Sequence, residues 1–398
     1  MIYGFYFRFF KATHNKTLSI LLSRLARLVY LLIFQIKRLH LKHPKTLLSE
    51  QDAKAQIDAF YPDPHGRATV SNLPIDETVD LSIVVPIYNY VGLIEKNIES
   101  ILHQKTQYCF EVILVDDGST DGSRDIVLRY QKHLNVKVIL QDNQGIAGAR
   151  NTGINHASGR YLMFVDCDDT VSDDLVETLM RKALSEDCDI AMCAHNLCKE
   201  RDGQVYQIIP NIYPGKNLLG YKNGDEIMNY AGLPWCKVYK REMWNQVRFL
   251  PGYWYEDSII QFLLFPQCKR FAYIPKVCYD YRWYENNFSH TQGDRSTDKK
   301  TIDRYWVLLG MLEKYEELGL PKDGQFYTLL LKHLSMYYYP TIAGMDNEIV
   351  KALFVLACGL LRQYRPKGRC KLPYILRVTE KAMLSEDIEL WKLVSMYQ

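Results

Sequence analysis

From Leu81 onward the chain alternates between two hydrophobic rhythms. Leu81 to Tyr88 (LSIVVPIY) is a continuous apolar run rich in β-branched residues, as expected of a strand buried on both faces. Val91, Ile94, Ile98, Ile101 and Leu102 then recur at helical spacing. Phe110 to Val115 predicts a second buried strand ending at Asp116, followed by a helix to about His133 with Ile126, Val127 and Tyr130 inward. Val136 to Leu140 predicts a third strand, Gly145 to Ala157 a helix, and Tyr161 to Val165 a fourth strand ending at Asp166. A helix through Leu175, Val176, Leu179, Met180 and Ala183 and a strand over Asp189 to Ala194 complete the series. Strands alternating with helices in this way predict an α/β fold, a mostly parallel sheet with helices on both faces and right-handed crossovers. Ligands of such sheets bind beyond the carboxyl ends of the strands.

The pattern loosens between about residues 200 and 290, where aromatics rise. From Thr301, helical spacing returns (Ile302, Tyr305, Trp306, Leu309, Leu312) and continues to the end. Residues 43 to 79 carry Pro44, Pro62, Pro64, Gly66 and Pro74 among polar residues, which predicts a linker or irregular wrap. The expected organisation is an N-terminal extension over 1–79, an α/β domain over 80–295 and an α-helical region over 296–398.

Charge sharpens the first of these. The 398-residue chain has a net charge of only +3, so the molecule as a whole does not read as a nucleic-acid binder. Residues 1 to 49, however, hold nine Lys and Arg and no acid. Leu18 to Ile36 is apolar but broken by Arg24 and Arg27, and its longest clean run, Leu28 to Phe34, falls far short of the ~20 residues that span a bilayer. Aromatics at Tyr3, Phe5, Tyr6, Phe7, Phe9 and Phe10 lie beside the basic residues. That mixture suits an amphipathic helix lying on an anionic membrane surface through residues 1–45, or else a helix packed on the protein. Ten cysteines lack zinc-site spacing, and most sit in apolar runs; they are expected to be buried thiols of a cytoplasmic protein.

Candidate chemistry falls at the predicted strand ends. Val115 to Ser123 reads VDDGSTDGS, and Asp117 is placed to accept hydrogen bonds from a base or ribose. A calcium-loop reading fails because Leu128 stands where a Glu is required, and a phosphate loop fails for want of Gly-Lys-Ser/Thr. A turn with a helix N-cap accounts for Asp121 but poorly for the Asp116–Asp117 pair. Asp166 to Thr170 reads DCDDT. In an extended stretch Asp166 and Asp168 share a face, and two carboxylates about 4 Å apart repel by roughly 4 kcal/mol at an effective dielectric near 20. A hard divalent cation, Mg²⁺ or Mn²⁺, relieves that repulsion and bridges to a diphosphate; the plainer alternative is a solvated acidic loop. Arg150, in NQGIAGARNTG, either reaches a phosphate or is an ordinary surface arginine. Asp257, in Trp254-Tyr255-Glu256-Asp257, suits a general base that deprotonates a hydroxyl attacking an anomeric carbon, or a helix N-cap before an apolar helix from Ile259.

Six segments occur in one order: VVPIYN (Val84 to Asn89), VDDGSTD, NQGIAGARNTGI, YLMFVDCDD, LPWCKVYKRE (Leu233 to Glu242) and YEDSIIQFLLF, followed by Tyr279-Asp280-Tyr281-Arg282. Together, over roughly residues 80 to 290, they closely resemble the family 2 glycosyltransferases of bacterial polysaccharide synthesis. The resemblance implies a GT-A fold and an inverting transfer from a nucleotide-sugar donor, usually a UDP-sugar, assisted by Mn²⁺ or Mg²⁺. By motif it implies that Pro86, Tyr88 and Asp117 contact the nucleoside. It further implies that Asp166 and Asp168 form the Asp-x-Asp pair with Asp168 on the metal, and that Asp257 is the catalytic base. Trp235 and Lys237 match a recurrent motif without an assigned role, and Cys167 stands where Ser or Ala is common. The expected acceptor is a saccharide or a lipid-linked saccharide, and the expected location is cytoplasmic, on the inner face of the membrane. Two alternatives differ in class. A sugar-nucleotide nucleotidyltransferase would carry a Gly-rich signature with Lys or Arg after the first strand, which VPIYNYVG lacks. A non-catalytic, membrane-docked binding module would not need Asp257.

Overall fold

The computed structural model describes residues 35–39, 48–201, 203–213, 218–219, 232–284, 296–368 and 370–396. The amphipathic helix expected near the N-terminus lies almost wholly outside the described residues. The chain forms two compact units, one of residues 63–294 and 303–321, the other of 1–62, 295–302 and 322–398.

The first unit is built on a sheet whose parallel part has the order β3-β2-β1-β4: β1 Leu81–Ile87, β2 Phe110–Asp117, β3 Val136–Gln141 and β4 Tyr161–Phe164. Every residue of β1 is buried, as its unbroken apolar run requires. The crossover helices are α1 Ile94–Leu102, α2 Ser123–Arg129 and α3 Gly145–His156. α3 lies tightly on β1: a Cβ at Gly153 would come within 2.2 Å of a Val84 methyl. These elements match the hydrophobic rhythm closely.

Beyond β4 the sheet is mixed rather than parallel. β5 is Thr170–Val171, and the helix α4, Leu175–Ser185, leads to β6, Ile190–Arg201. β7 Gln204–Asn211, β8 Leu218–Leu219, β9 Lys237–Lys240 and β10 Phe271–Trp283 complete it. The order continues β4-β9-β6-β10-β5, with β9 antiparallel to both neighbours and β10 parallel to β6. The sequence hides β9 and β10 for physical reasons. β9 is only four residues long. β10 is interrupted at Pro275 and Lys276, where its register against β6 shifts, so the alternation that marks a strand breaks mid-way. The helix expected from Ile259 is instead a π-helical turn, Ile260–Leu264, flanked by 3₁₀ turns at Glu256–Ser258 and Phe265–Gln267. Its residues are buried nearly all round, so no single helical face guided the reading.

The second unit is helical: Glu50–Phe60, Gly324–His333, Asn347–Tyr364, Tyr374–Leu384 and Ile388–Met396 are its main elements. Ser49 caps the first of these by accepting from the Asp52 amide. Glu50 in turn pairs with Arg362 at 2.8 Å and sits against Gly359. The expected boundaries at 79/80 and 295/296 therefore do not hold. Residues 50–60 pack with the C-terminal helices, and α5, Asp303–Glu317, joins the sheet unit, where Gly310 lies against Leu250. Periodicity shows that a helix has an apolar face, not which core receives it. Among the described residues no helix is long and apolar enough to cross a membrane.

Replacing Gly153 with Ala pushes a methyl into Val84 and is expected to destabilise the protein by about 1–3 kcal/mol. The check is a lower midpoint of urea unfolding at unchanged slope; an unshifted midpoint means that β1 yields without strain.

Candidate active site

The carboxyl ends of β1, β2 and β4 open at one edge of the sheet, and the loops there are laced together. The Asn89 amide donates to Ser119 Oγ at 3.1 Å, and Asn89 Oδ1 accepts from the Thr120 amide at 2.8 Å. The amides of Tyr90 and Val91 donate to Ser123 Oγ and Asp121 Oδ2 at 2.8 and 2.9 Å. Asp121 thus ties two loops, besides accepting from the Ser123 amide at 2.9 Å. The first loop turns through Asn89 at φ 59° and the second through Gly118 at φ 81°, where a Cβ would crowd the Asn143 amide. Pro86 is buried within β1 opposite Val115, whereas Tyr88, 46% exposed, presents its ring at the edge.

The two acids that end β2 point to opposite faces and differ in freedom. Asp116 is fully buried and ion-paired to Arg124 Nε at 2.7 Å. Asp117 Oδ1 accepts from Gln141 Nε2 at 2.6 Å and the Gln144 amide at 2.9 Å. Its Oδ2, like Asp116 Oδ1, is buried without a partner among the described residues, and burial raises the Asp117 carboxyl above its ordinary pKa. A buried acceptor left over is costly unless a ligand N–H or O–H meets it.

The Asp166 to Asp169 segment is a turn, not the extended stretch from which convergence of Asp166 and Asp168 was expected. The Asp169 amide donates to Asp166 O at 3.1 Å. Asn97, fully buried on α1, clamps the turn by donating to the carbonyls of Asp166 and Asp169 at 2.9 and 2.8 Å. The side chains then divide. Asp169 is fully buried and accepts from Tyr279 Oη at 2.6 Å and from the Arg282 amide at 2.9 Å, which commits it to structure. Asp166 pairs with Arg150. Asp168 accepts from Tyr284 Oη at 2.9 Å. Tyr284 and Tyr90 hydroxyls lie 3.1 Å apart; since Tyr284 has one proton and gives it to Asp168, Tyr90 donates to Tyr284. Burial, and then the charge of Asp166, push the Asp168 carboxyl up to about 6. A crowded, half-desolvated carboxylate of this kind fits a single hard divalent cation shared with substrate phosphates. Among the described residues no cluster of three or more His, Cys, Asp or Glu could hold a metal by itself.

Arg150 takes a different place from the one expected. It is 3% exposed, and its terminal nitrogens reach Asp166 Oδ1 at 2.8 Å and Glu256 Oε1 at 2.7 Å. Burial works against its charge, but the two carboxylates more than offset that. The small residues of α3 explain the placement: Ala147, Gly148, Ala149 and Gly153 let the helix lie flat on the sheet, so Arg150 points inward rather than to solvent. Glu256 is pushed up to about 7, by burial first, against the pull of Arg150. Its neighbour Asp257 sits in the 3₁₀ turn and makes no N-cap hydrogen bond there. Arg150 thus joins three of the anticipated positions, itself, Asp166 and the Glu256–Asp257 turn, which lie far apart in sequence.

No site role was expected of Glu256, Asn97, Tyr90, Tyr279 and Tyr284. Glu256 and Tyr279 lie in the motif segments without a role of their own, and the others stand as isolated polar or aromatic residues on elements whose mutual placement was unknown. The motif of open role now has one: Lys237, fully buried, donates to Leu233 O at 2.7 Å and is pushed down to about 8 by burial. The loop it holds carries Trp235, whose ring stacks on Tyr279 at 4.9 Å and Tyr281 at 5.1 Å. Lys237 therefore braces the aromatic layer under Asp169. All ten cysteines are free, eight of them buried.

The sequence model described as Glycosyl transferase family 2 matches residues 82–246. The Escherichia coli K12 protein called uncharacterized glycosyltransferase YibD is 30% identical over 252 residues, 60% of this chain and 72% of that protein. A Campylobacter jejuni protein, GalNAc(5)-diNAcBac-PP-undecaprenol beta-1,3-glucosyltransferase, is 28% identical over 69% of this chain and 87% of its own length. Among solved structures, residues 1–349 of TarS from S. aureus in complex with UDP-GlcNAc superpose with a TM-score of 0.52 at 18% identity, covering 80% of this chain and 91% of that one. That likeness concerns the fold, which is the GT-A glycosyltransferase fold with an added helical region. The chain belongs to glycosyltransferase family 2 and is a glycosyltransferase.

Arg150→Met leaves two buried carboxylates without their counter-charge and is expected to destabilise the protein by about 3–5 kcal/mol. Adding Glu256→Gln should recover part of that loss in urea unfolding. Strictly additive losses would mean that the two side chains are not coupled.

Proposed function

We propose that this glycosyltransferase moves a sugar, with inversion, from a UDP-sugar to a saccharide or lipid-linked acceptor in cell-surface polysaccharide synthesis. The observation that carries the reading is the buried bridge from Asp166 through Arg150 to the Glu256–Asp257 turn. It couples the acids at the end of β4 to a second carboxylate that has no N-capping job. Similar proteins agree with the class: one is a GalNAc(5)-diNAcBac-PP-undecaprenol beta-1,3-glucosyltransferase, and TarS was solved with UDP-GlcNAc.

In this reading Tyr88 lies along the base, and Asp117 Oδ2 accepts from the nucleoside. Asp166, oriented by Arg150, lies beside the donor. Asp168 would hold Mn²⁺ or Mg²⁺, which when bound neutralises charge on the diphosphate. Asp257 accepts the acceptor hydroxyl proton as that oxygen bonds to the anomeric carbon. The bond from the anomeric carbon to the diphosphate oxygen breaks, and its electron pair leaves with UDP. The basic, aromatic stretch over residues 1–45 is read as a peripheral contact with an anionic membrane face, which would bring the enzyme to a lipid-linked acceptor on the cytoplasmic side.

Asp257→Asn should bind UDP as wild type does yet lose transfer by about 10²–10⁴-fold. Asp168→Ala should lose metal-stimulated turnover, with both activities followed as UDP released from a panel of UDP-sugars. Full transfer by Asp257→Asn sinks the assignment of the base. Deleting residues 1–45 should abolish sedimentation with vesicles containing anionic lipid; unchanged sedimentation removes the membrane reading.

A further inference from the structure

The segment that carries Asp257 is held from a direction the family match does not reach. α5, outside residues 82–246, begins with Asp303 and Arg304. Asp303, fully buried, accepts from the Trp254 amide at 2.8 Å. The Arg304 guanidinium carbon lies 3.8 Å from the centre of the Tyr255 ring, close cation–π stacking. Tyr255 itself has φ 67°, a left-handed conformation that a bulky residue adopts only when its surroundings impose it, and it is followed directly by Glu256 and Asp257. Two consecutive residues of α5 thus grip two consecutive residues of the loop, one by its backbone and one by its ring. One turn and a half further along, Gly310 lets the helix close on Leu250, earlier in the same loop.

We propose that Arg304 is a positioning residue for transfer: seated on Tyr255, it fixes the turn that presents Asp257 and supplies the cation that keeps this carboxylate ready to take a proton. The proposal rests on the reading of Asp257 as the base. Charges from several elements face Asp257. Arg304 comes from α5, Arg150 from α3, Lys237 from β9, and Asp166 from the end of β4, while Glu256 is its chain neighbour. Burial and Asp166 push the Asp257 carboxyl up, and Arg304 is the strongest opposing charge, ahead of Arg150. Arg150 is already bonded to Asp166 and Glu256. A sugar transferase needs this carboxyl ionised before the acceptor hydroxyl arrives, and a neighbouring guanidinium achieves that without adding a second proton acceptor.

The test is a ¹³C-carboxyl NMR titration of the full chain labelled at aspartate, with Asp257→Asn used to identify the resonance. In Arg304→Met the midpoint of Asp257 should rise by about one pH unit, and Arg304→Lys should restore most of it. Sign follows from charge: losing a cation favours the neutral acid, so the carboxylate form is lost at a higher pH. UDP release from a UDP-sugar panel with Mn²⁺ should then begin to fall at a higher pH in Arg304→Met, the loss approaching about tenfold only below both midpoints and vanishing well above them. A merely structural loss would lower the rate equally at all pH. If Arg304→Met folds poorly, Tyr255→Leu removes the seat while keeping both charges, and it should move the midpoint in the same direction. A midpoint unchanged in the folded variants overturns the role of Arg304, whatever Asp257 does. Full transfer by Asp257→Asn instead overturns the base assignment and the proposal with it, and the two failures are read separately.

Discussion

Everything at the open edge of the sheet depends on one buried cation. Arg150 sits where water does not reach and bonds a carboxylate from the end of β4 and another from the turn after Tyr255. An arginine in that position cannot shed its proton, so it demands two acids, and the acids demand it. Because its nitrogens form a rigid fork, the pair fixes direction as well as charge. The Asp166 turn and the Glu256–Asp257 turn are far apart in sequence, and this ion pair sets their mutual geometry.

Around that bridge four neighbouring acids acquire four functions by environment. Asp169 is consumed by Tyr279 and the Arg282 amide. Asp166 is neutralised by Arg150. Asp168 keeps a raised pKa and accepts from the Tyr284 phenol. Asp257, a residue beyond the bridge, faces Arg304. Carboxylates that sequence presents as a cluster are separated by which hydrogen-bond donors reach them, the same logic by which one protein fold hosts several protonation states.

The parallel half of the sheet was legible because β1, β2 and β4 are buried on both faces and read as continuous apolar runs. β10 was not, since Pro275 breaks its alternation, and with it Tyr279, Arg282 and Tyr284 could not be placed near the Asp168 loop. Arg150 was legible as a cation of interest but not as a buried one. Exposure is a property of how closely α3 settles on β1, and that closeness resides in Gly153 meeting Val84.

The order of motifs along the chain determined the family and the α/β core and drew attention to the carboxylates at the strand ends, because periodic burial and strand-end position are local properties. Tertiary structure decided which of those carboxylates are already spoken for. It also decided that helix 50–60 belongs with the C-terminal helices and that α5 belongs with the sheet. Pairing between residues distant in sequence, as between Arg150 and Glu256 or Trp254 and Asp303, depends on which surfaces meet when the core closes. No local pattern encodes that, since an apolar face or a lone arginine looks the same whichever partner it finds.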